Sequence, residues 1–190
     1  NSNGTLDSAW ELPNFTTSGG SSLGVDITGL DVQPDGALVA GGRFDSVNGV
    51  GKKDFVRLMP AGNVDLNFSP PVAMGSGGGR VKVLASGKIL VGFNTTGIGR
   101  LGRLNSDGSL DTSFGGGDGE IIFSITPGLY EGPQGIAVAP DGSTVLVSAF
   151  GAGARQLLAG SSEQAVGSPS VSVQQLAIIS AQVLAEVIQR

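Results

Sequence analysis

The sequence predicts an all-β protein, a propeller-like array of about three blades built from alternating hairpins, with a C-terminal α-helix. Three observations predict it. Two short phrases alternate along the chain, each centred on a turn glycine. Charged residues are only 14% of the 190, while glycine accounts for 33. Apolar residues, at 39%, fall in short runs. Few charges, much glycine and short apolar runs favour strands and tight turns over helices.

The first phrase is clearest at 104–114, LNSDGSLDTSF. It returns at 58–68 as LMPAGNVDLNF and opens the chain at 1–10 as NSNGTLDSAW. Gly4, Gly62 and Gly108 align, as do Asp7, Asp65 and Asp111, and the closing aromatics Trp10, Phe68 and Phe114. Two turn-forming residues before a glycine suit a three-residue hairpin loop, a type I turn followed by a bulge residue of positive φ. That loop fixes the register. Leu104 then faces Leu110 and Arg103 faces Asp111. In the second copy Leu58 faces Val64 and Arg57 faces Asp65. An apolar pair on one face and an opposite-charge pair on the other is what a half-buried hairpin needs.

The second phrase reads LDVQPDGALVAGG at 30–42, VKVLASGKILVG at 81–92 and IAVAPDGSTVLVS at 136–148. Gly36, Gly87 and Gly142 align, and all are expected at positive φ. The facing pairs are Val32–Leu38, Val83–Ile89 and Val138–Thr144. First-phrase glycines lie 58 and 46 residues apart, second-phrase glycines 51 and 55. About four short strands fit such a period, which is the length of a propeller blade rather than of a helical solenoid unit.

These phrases resemble those of delta-60-type repeat proteins, which combine a QPDGKILVGG-like hairpin with an RLNxDGSLDxSF-like one. The resemblance covers 25–68 and 80–114 well, 132–150 in the first half only, and 1–10 in the second half only. It implies a β-propeller, found in bacterial and often surface or secreted proteins, and no defined activity.

The expected organisation is repeats over 1–150, in units near 1–45, 46–93 and 94–150. A Gly/Ala/Ser-rich connection follows over 151–170. An amphipathic helix then fills 171–190, where Leu176, Ile179, Val183 and Val187 share one side; the β-branched residues make a strand pair the competing reading. A chain opening at Asn1 inside a repeat is expected to be a processed protein or a fragment. Three blades are too few for easy closure, since propellers close with four to eight. The opening phrase also lacks its first strand. Residues 154–157 are expected to supply it, bringing Arg155 to Asp7 within the chain or from a neighbouring copy. The assembly residues are thus Asp7, Arg155 and the apolar side of the helix.

The chemical inventory is thin. There is no histidine and no cysteine, which removes the Ser-His-Asp triad, thiolate chemistry and most transition-metal sites. The repeated aspartates read as cross-strand partners or turn residues. Asp118 and Glu120 in GGGDGE have the oxygen ligands for Ca²⁺, but the repeated Asp spacing of a calcium loop is absent. No catalytic, cofactor or metal residue is therefore assigned. Tyr130 lies outside the repeat register and is a candidate for a binding surface. Asn3, Asn14, Asn67 and Asn94 head Asn-x-Ser/Thr triplets, possible glycosylation sites in a secretory host. A net charge of −5 gives no support for nucleic-acid binding, and no run of 18 apolar residues predicts membrane insertion.

The expected function is a non-enzymatic structural or scaffold protein at a cell surface, in the extracellular space or in a virion. It would self-associate, or join partners, through its repeat ends and C-terminal segment. The alternative is a glycan- or protein-binding propeller module, in adhesion or a viral fibre. A propeller hydrolase or lyase ranks last.

Overall fold

In the computed structural model of the chain the described residues are 3–5, 8–17, 24–71, 79–95, 98–122, 132–138, 145–151 and 154–160. They form an all-β fold of antiparallel sheets, with no helix among them. β1 (Phe15–Thr16) belongs to a small sheet described below. Sheet one is β2 (Asp26–Val32), β3 (Leu38–Arg43) and, after the short β4 (Ser46–Val47) and β5 (Val50–Gly51), β6 (Phe55–Leu58). Sheet two is β7 (Arg80–Val83), β8 (Ile89–Thr95), β9 (Ile98–Leu104) and β10 (Glu120–Ile122), in spatial order. Sheet three is β11 (Gly132–Val138), β12 (Val145–Gly151) and β13 (Ala154–Gly160).

One turn is used four times. Gly36, Gly62, Gly87 and Gly108 donate N–H groups to the carbonyls of Gln33, Met59, Leu84 and Asn105, at 2.8–3.0 Å. All four have φ between 82° and 95°, the left-handed region that a residue with a Cβ reaches at a cost. Two aspartates tighten the loop further: Asp35 Oδ1 accepts from Ala37 N, and Asp107 Oδ1 from Ser109 N. The turns set the pairs Val32↔Leu38 and Val83↔Ile89, and the bridges Leu58↔Val64 and Leu104↔Leu110. The third copy differs. Val138 pairs with Val145, not Thr144. The loop is one residue longer, and this register sets Ile136 opposite Val147. A one-residue slip exchanges the faces of a whole strand.

Two boundaries also differ from expectation. Sheets are continuous across 45/46, where β3 pairs with β6, and across 93/94, where β8 pairs with β9. The units near 1–45, 46–93 and 94–150 thus cut through sheets one and two; the seams between sheets fall after the closing aromatics. Within the expected 151–170 connection, residues 154–160 form β13, hydrogen-bonded along β12; it includes 154–157, where a strand is expected. The helix expected over 171–190, with Leu176, Ile179, Val183 and Val187, lies outside the described residues, as do Asp7, Tyr130 and Gly142.

Strand alternation gives sheets one and two an apolar residue set on each face, and the sheets stack. Val39 and Phe55 of sheet one meet Val81, Ile89, Val91 and Phe93 of sheet two, with Phe68 among them. Leu84, Leu90 and Leu101, on the other side of sheet two, meet Ile136 and Val138 of sheet three, with Phe114. Ala40, Val56 and Leu58, on the outer face of sheet one, are covered by Trp10 and Phe15. The closing aromatic of each phrase therefore packs against the sheet that follows it.

Candidate functional site

The residues singled out by the repeat converge on the seams between sheets and on the exposed end of the stack. In sheet two Arg103 is 1% exposed. Its Nε donates to Asp111 Oδ2 at 2.6 Å, its Nη2 to Ser113 Oγ at 3.0 Å, and its guanidinium lies 4.8 Å from the Phe114 ring centroid. Lys88 Nζ reaches the same Asp111 oxygen at 2.8 Å. Burial alone would raise the Asp111 pKa. Hydrogen bonds from Lys88, Ser113 and Arg103 outweigh it and hold the carboxyl well below the usual range. In sheet one Arg57 pairs with Asp65 at 2.6 Å and also with Asp35. Its Nε donates to Gln33 Oε1, and Gln33 Nε2 donates across the seam to the Gly87 carbonyl at 3.4 Å. These charges are consumed in holding hairpins and seams.

A second device occurs twice. The residue after the closing aromatic donates its N–H to the carbonyl just before the next sheet's turn glycine. Glu11 N reaches Ala61 O at 3.1 Å, and Ser69 N reaches Asp107 O at 3.1 Å. Gly62 and Gly108 are the glycines beside these latches; a Cβ on Gly108 would stand 3.0 Å from the Phe68 ring and from Ser69 N. Further seam contacts join β2 to β7. Asp31 Oδ2 accepts from Lys82 Nζ at 2.7 Å and Val83 N at 2.8 Å, and Thr28 Oγ1 donates to Gly79 O at 3.1 Å. Sequence reasoning missed Gln33, Asp31 and Thr28, because only the neighbouring sheet gives them a role.

A further local signal lies in the β4–β5 hairpin. Asn48-Gly49 closes the β4–β5 hairpin with φ of 51° and 76°, and Asn-Gly is the preferred pair for a two-residue hairpin loop. That hairpin receives β1: Phe15 pairs with Val47, Asn14 N donates to Asn48 Oδ1 at 2.7 Å, and the Phe15 and Phe44 rings meet edge-on at 5.0 Å.

Asp54, just before β6, is buried at 6% exposure with φ 62°. Burial pushes its carboxyl up to about 6; Lys53 opposes the shift and Asp45 adds to it. A carboxyl whose folded pKa exceeds its unfolded value holds its proton more tightly when folded. Its contribution is therefore most favourable below about pH 4 and is lost as pH rises through about 6. Asp54→Asn keeps the left-handed backbone tolerable and removes the buried charge. The variant is expected to exceed the parent in stability at neutral pH by on the order of 1 kcal/mol, with the gain disappearing near pH 4. Denaturant unfolding at both pH values measures this; a gain independent of pH would refute it.

Asn3, Asn14 and Asn67 are exposed and Asn94 is half-buried. Asn3 Oδ1 accepts from Thr5 N at 3.1 Å and Thr5 Oγ1 at 2.8 Å. Asp118 Oδ1 accepts from Glu120 N, and Glu120 pairs with Arg100 at 2.8 Å. No group of three or more carboxylates that could hold a metal ion occurs among the described residues. Arg155 stands opposite Phe150 in β13, already paired within sheet three. The slot matching Arg57 (opposite Val39) and Arg103 (opposite Leu90) is opposite Leu146, where Ala159 stands. Residues 154–157 are thus strand partners of β12, and Arg155 is not the equivalent of the two hairpin arginines.

Residues 33–68 and 84–114 match the model of a family described as a domain of unknown function (DUF5122) beta-propeller. Both matched segments run from a second-phrase turn to a closing aromatic, the stretch from one hairpin to the next seam. No curated protein and no solved structure matches the chain.

Proposed function

Given that the chain is a β-propeller repeat protein, we propose that it is a non-enzymatic scaffold, extracellular or surface-borne, that assembles through the ends of its repeat array. Its three large sheets are the blades. The observation that carries this reading is that the repeat-specific residues are engaged in holding hairpins and seams together. Trp10 packs on sheet one and Glu11 latches Ala61, just as Phe68 and Ser69 serve sheet two. The engagement of Asp65 and Asp111 in ion pairs favours a structural role for the repeated carboxylates.

The test is sedimentation equilibrium of the full 190-residue chain from low to high micromolar concentration, beside a chain ending at Gly160, which retains β13. Self-association of the full chain is expected, weakened in the shorter one. A monodisperse monomer throughout would overturn the scaffold reading. Equal association of both chains would remove the C-terminal segment from it.

A further inference from the structure

Residues 10–16 run as a strap over the outer face of sheet one, where Trp10 and Phe15 cover Ala40, Val56 and Leu58. One residue of the β4–β5 turn clasps the strap. Asn48 N donates to Asn14 O at 2.9 Å, its Oδ1 accepts from Asn14 N at 2.7 Å, and its Nδ2 donates to Glu11 Oε1 at 3.2 Å. The next residue, Gly49, is exposed, and a Cβ there would meet nothing within 4 Å. Among the described residues the Gly49 N–H donates to no backbone carbonyl. A carboxamide thus stands beside an open backbone nitrogen, with no side chain on the glycine to bar its approach.

We propose that Asn48-Gly49 is a site of spontaneous deamidation, and that the reaction unclasps the strap. The Gly49 nitrogen gives its proton to solvent and attacks Asn48 Cγ. The Cγ–Nδ2 bond breaks, the amine takes up a proton and leaves as ammonia, and a cyclic succinimide remains. Water then opens the ring at either carbonyl, leaving an aspartyl or an isoaspartyl residue at position 48. Nothing is oxidised or reduced, and water is the only co-reactant. The new carboxyl is ionised at neutral pH. The donor that faced Glu11 becomes an acceptor, and two like charges stand at hydrogen-bond range. The isoaspartyl form also adds a methylene to the main chain, so the two-residue loop that pairs Val47 with Val50 no longer closes in register. The docked strap in turn restrains the reaction. Both ends of the carboxamide are hydrogen-bonded to it, and turning Cγ onto the Gly49 nitrogen gives those bonds up. Local opening of the strap therefore sets the pace, and the reaction makes that opening permanent.

Asn3-Gly4 supplies an internal reference: the pair is exposed, and Asn3 Oδ1 accepts from Thr5, two residues on. The experiment incubates the full chain in mildly alkaline buffer, digests it in acid, and follows conversion at positions 3 and 48 by peptide mass spectrometry. Position 3 is expected to convert first and position 48 more slowly. Phe15→Ala, and the milder Glu11→Ala at an exposed position, are expected to speed conversion at 48 severalfold and to leave position 3 unchanged. An intact amide at 48 after position 3 is exhausted in all three proteins overturns the site. Equal rates at 48 in all three overturn the restraint. The consequence is read separately on Asn48→Asp, which carries the aspartyl product from the start. Trp10 is the only tryptophan. Its emission is expected to move to the red in Asn48→Asp. Adding Glu11→Gln, whose amide donates to the new carboxylate, is expected to move it back. Unchanged emission in Asn48→Asp, or a shift that Glu11→Gln does not reverse, overturns the unclasping; circular dichroism verifies that these variants stay folded.

Discussion

Arg103→Ala is expected to destabilise the protein by about 3–5 kcal/mol, whereas Arg57→Ala in the matching position costs about 1–2 kcal/mol. The two arginines occupy equivalent slots and differ in surroundings. Arg103 is 1% exposed, and its partner Asp111 is held in the same closed pocket with Phe114. Removing the guanidinium leaves a buried carboxylate served only by Lys88 and Ser113. Arg57 has a side chain 12% exposed, and its second partner, Asp35, is 58% exposed, so water replaces much of what is lost. Acid dependence provides a second readout. Asp111 has a depressed folded pKa, so its contribution is complete above about pH 4 and is lost as pH falls through the depressed value. Arg103→Ala should flatten that acid limb. Urea unfolding of both variants at neutral and acid pH measures the contrast, and equal costs at the two positions would contradict it.

The same comparison shows what the sequence makes legible. Turn glycines and the eight-residue spacing of Arg and Asp are local features, and local chemistry dictates them: a bulge residue needs positive φ, and that bulge sets who faces whom. Burial of the pair is not local. Nothing in RLNSDGSLD against RLMPAGNVD announces that one arginine is sealed and the other half-open; that depends on which sheet follows. The seams were hidden for the same reason. Phe68 and Phe114 fall inside the expected units near 46–93 and 94–150, yet they pack forward onto the next sheet, so the seams come just after them rather than at the expected unit boundaries. The β12 register departs by one residue from the one its turn motif predicts. In the Pro140-Asp141-Gly142 copy the loop is one residue longer, and strand pairing sets the outcome. A strand is expected at 154–157, but its extension to Gly160 and its register are not legible, since ARQLLAG places Ala159 rather than an arginine opposite Leu146 and lacks the β-branched residues that mark a strand.

Phe55→Ala is expected to cost about 3–5 kcal/mol, since the ring is 2% exposed and fills the gap between sheets one and two. The glycines around it make the origin of that cost testable. A Cβ on Gly79 would overlap the Phe55 ring, and the three atoms it would meet first all belong to that ring. A Cβ on Gly41 would overlap the Gly79 carbonyl oxygen as well as Phe55 and Val81. Gly79 is thus small to admit a side chain, whereas Gly41 is small to admit a neighbouring backbone. Gly79→Ala alone should cost about 1–3 kcal/mol by overpacking. In the Phe55→Ala background it should be neutral or slightly stabilising, because the methyl enters the vacated space and the unfolded chain loses freedom. The cycle should therefore show a coupling of about 2 kcal/mol. Gly41→Ala should remain costly in both backgrounds, since β7 cannot step back while Asp31 holds Lys82 and Val83, and Thr28 holds Gly79. Additive costs for Gly79→Ala and Phe55→Ala would mean that the ring does not set the approach of the two sheets. Rescue of Gly41→Ala by Phe55→Ala would place the limit on that approach in the ring rather than in the backbone of β7.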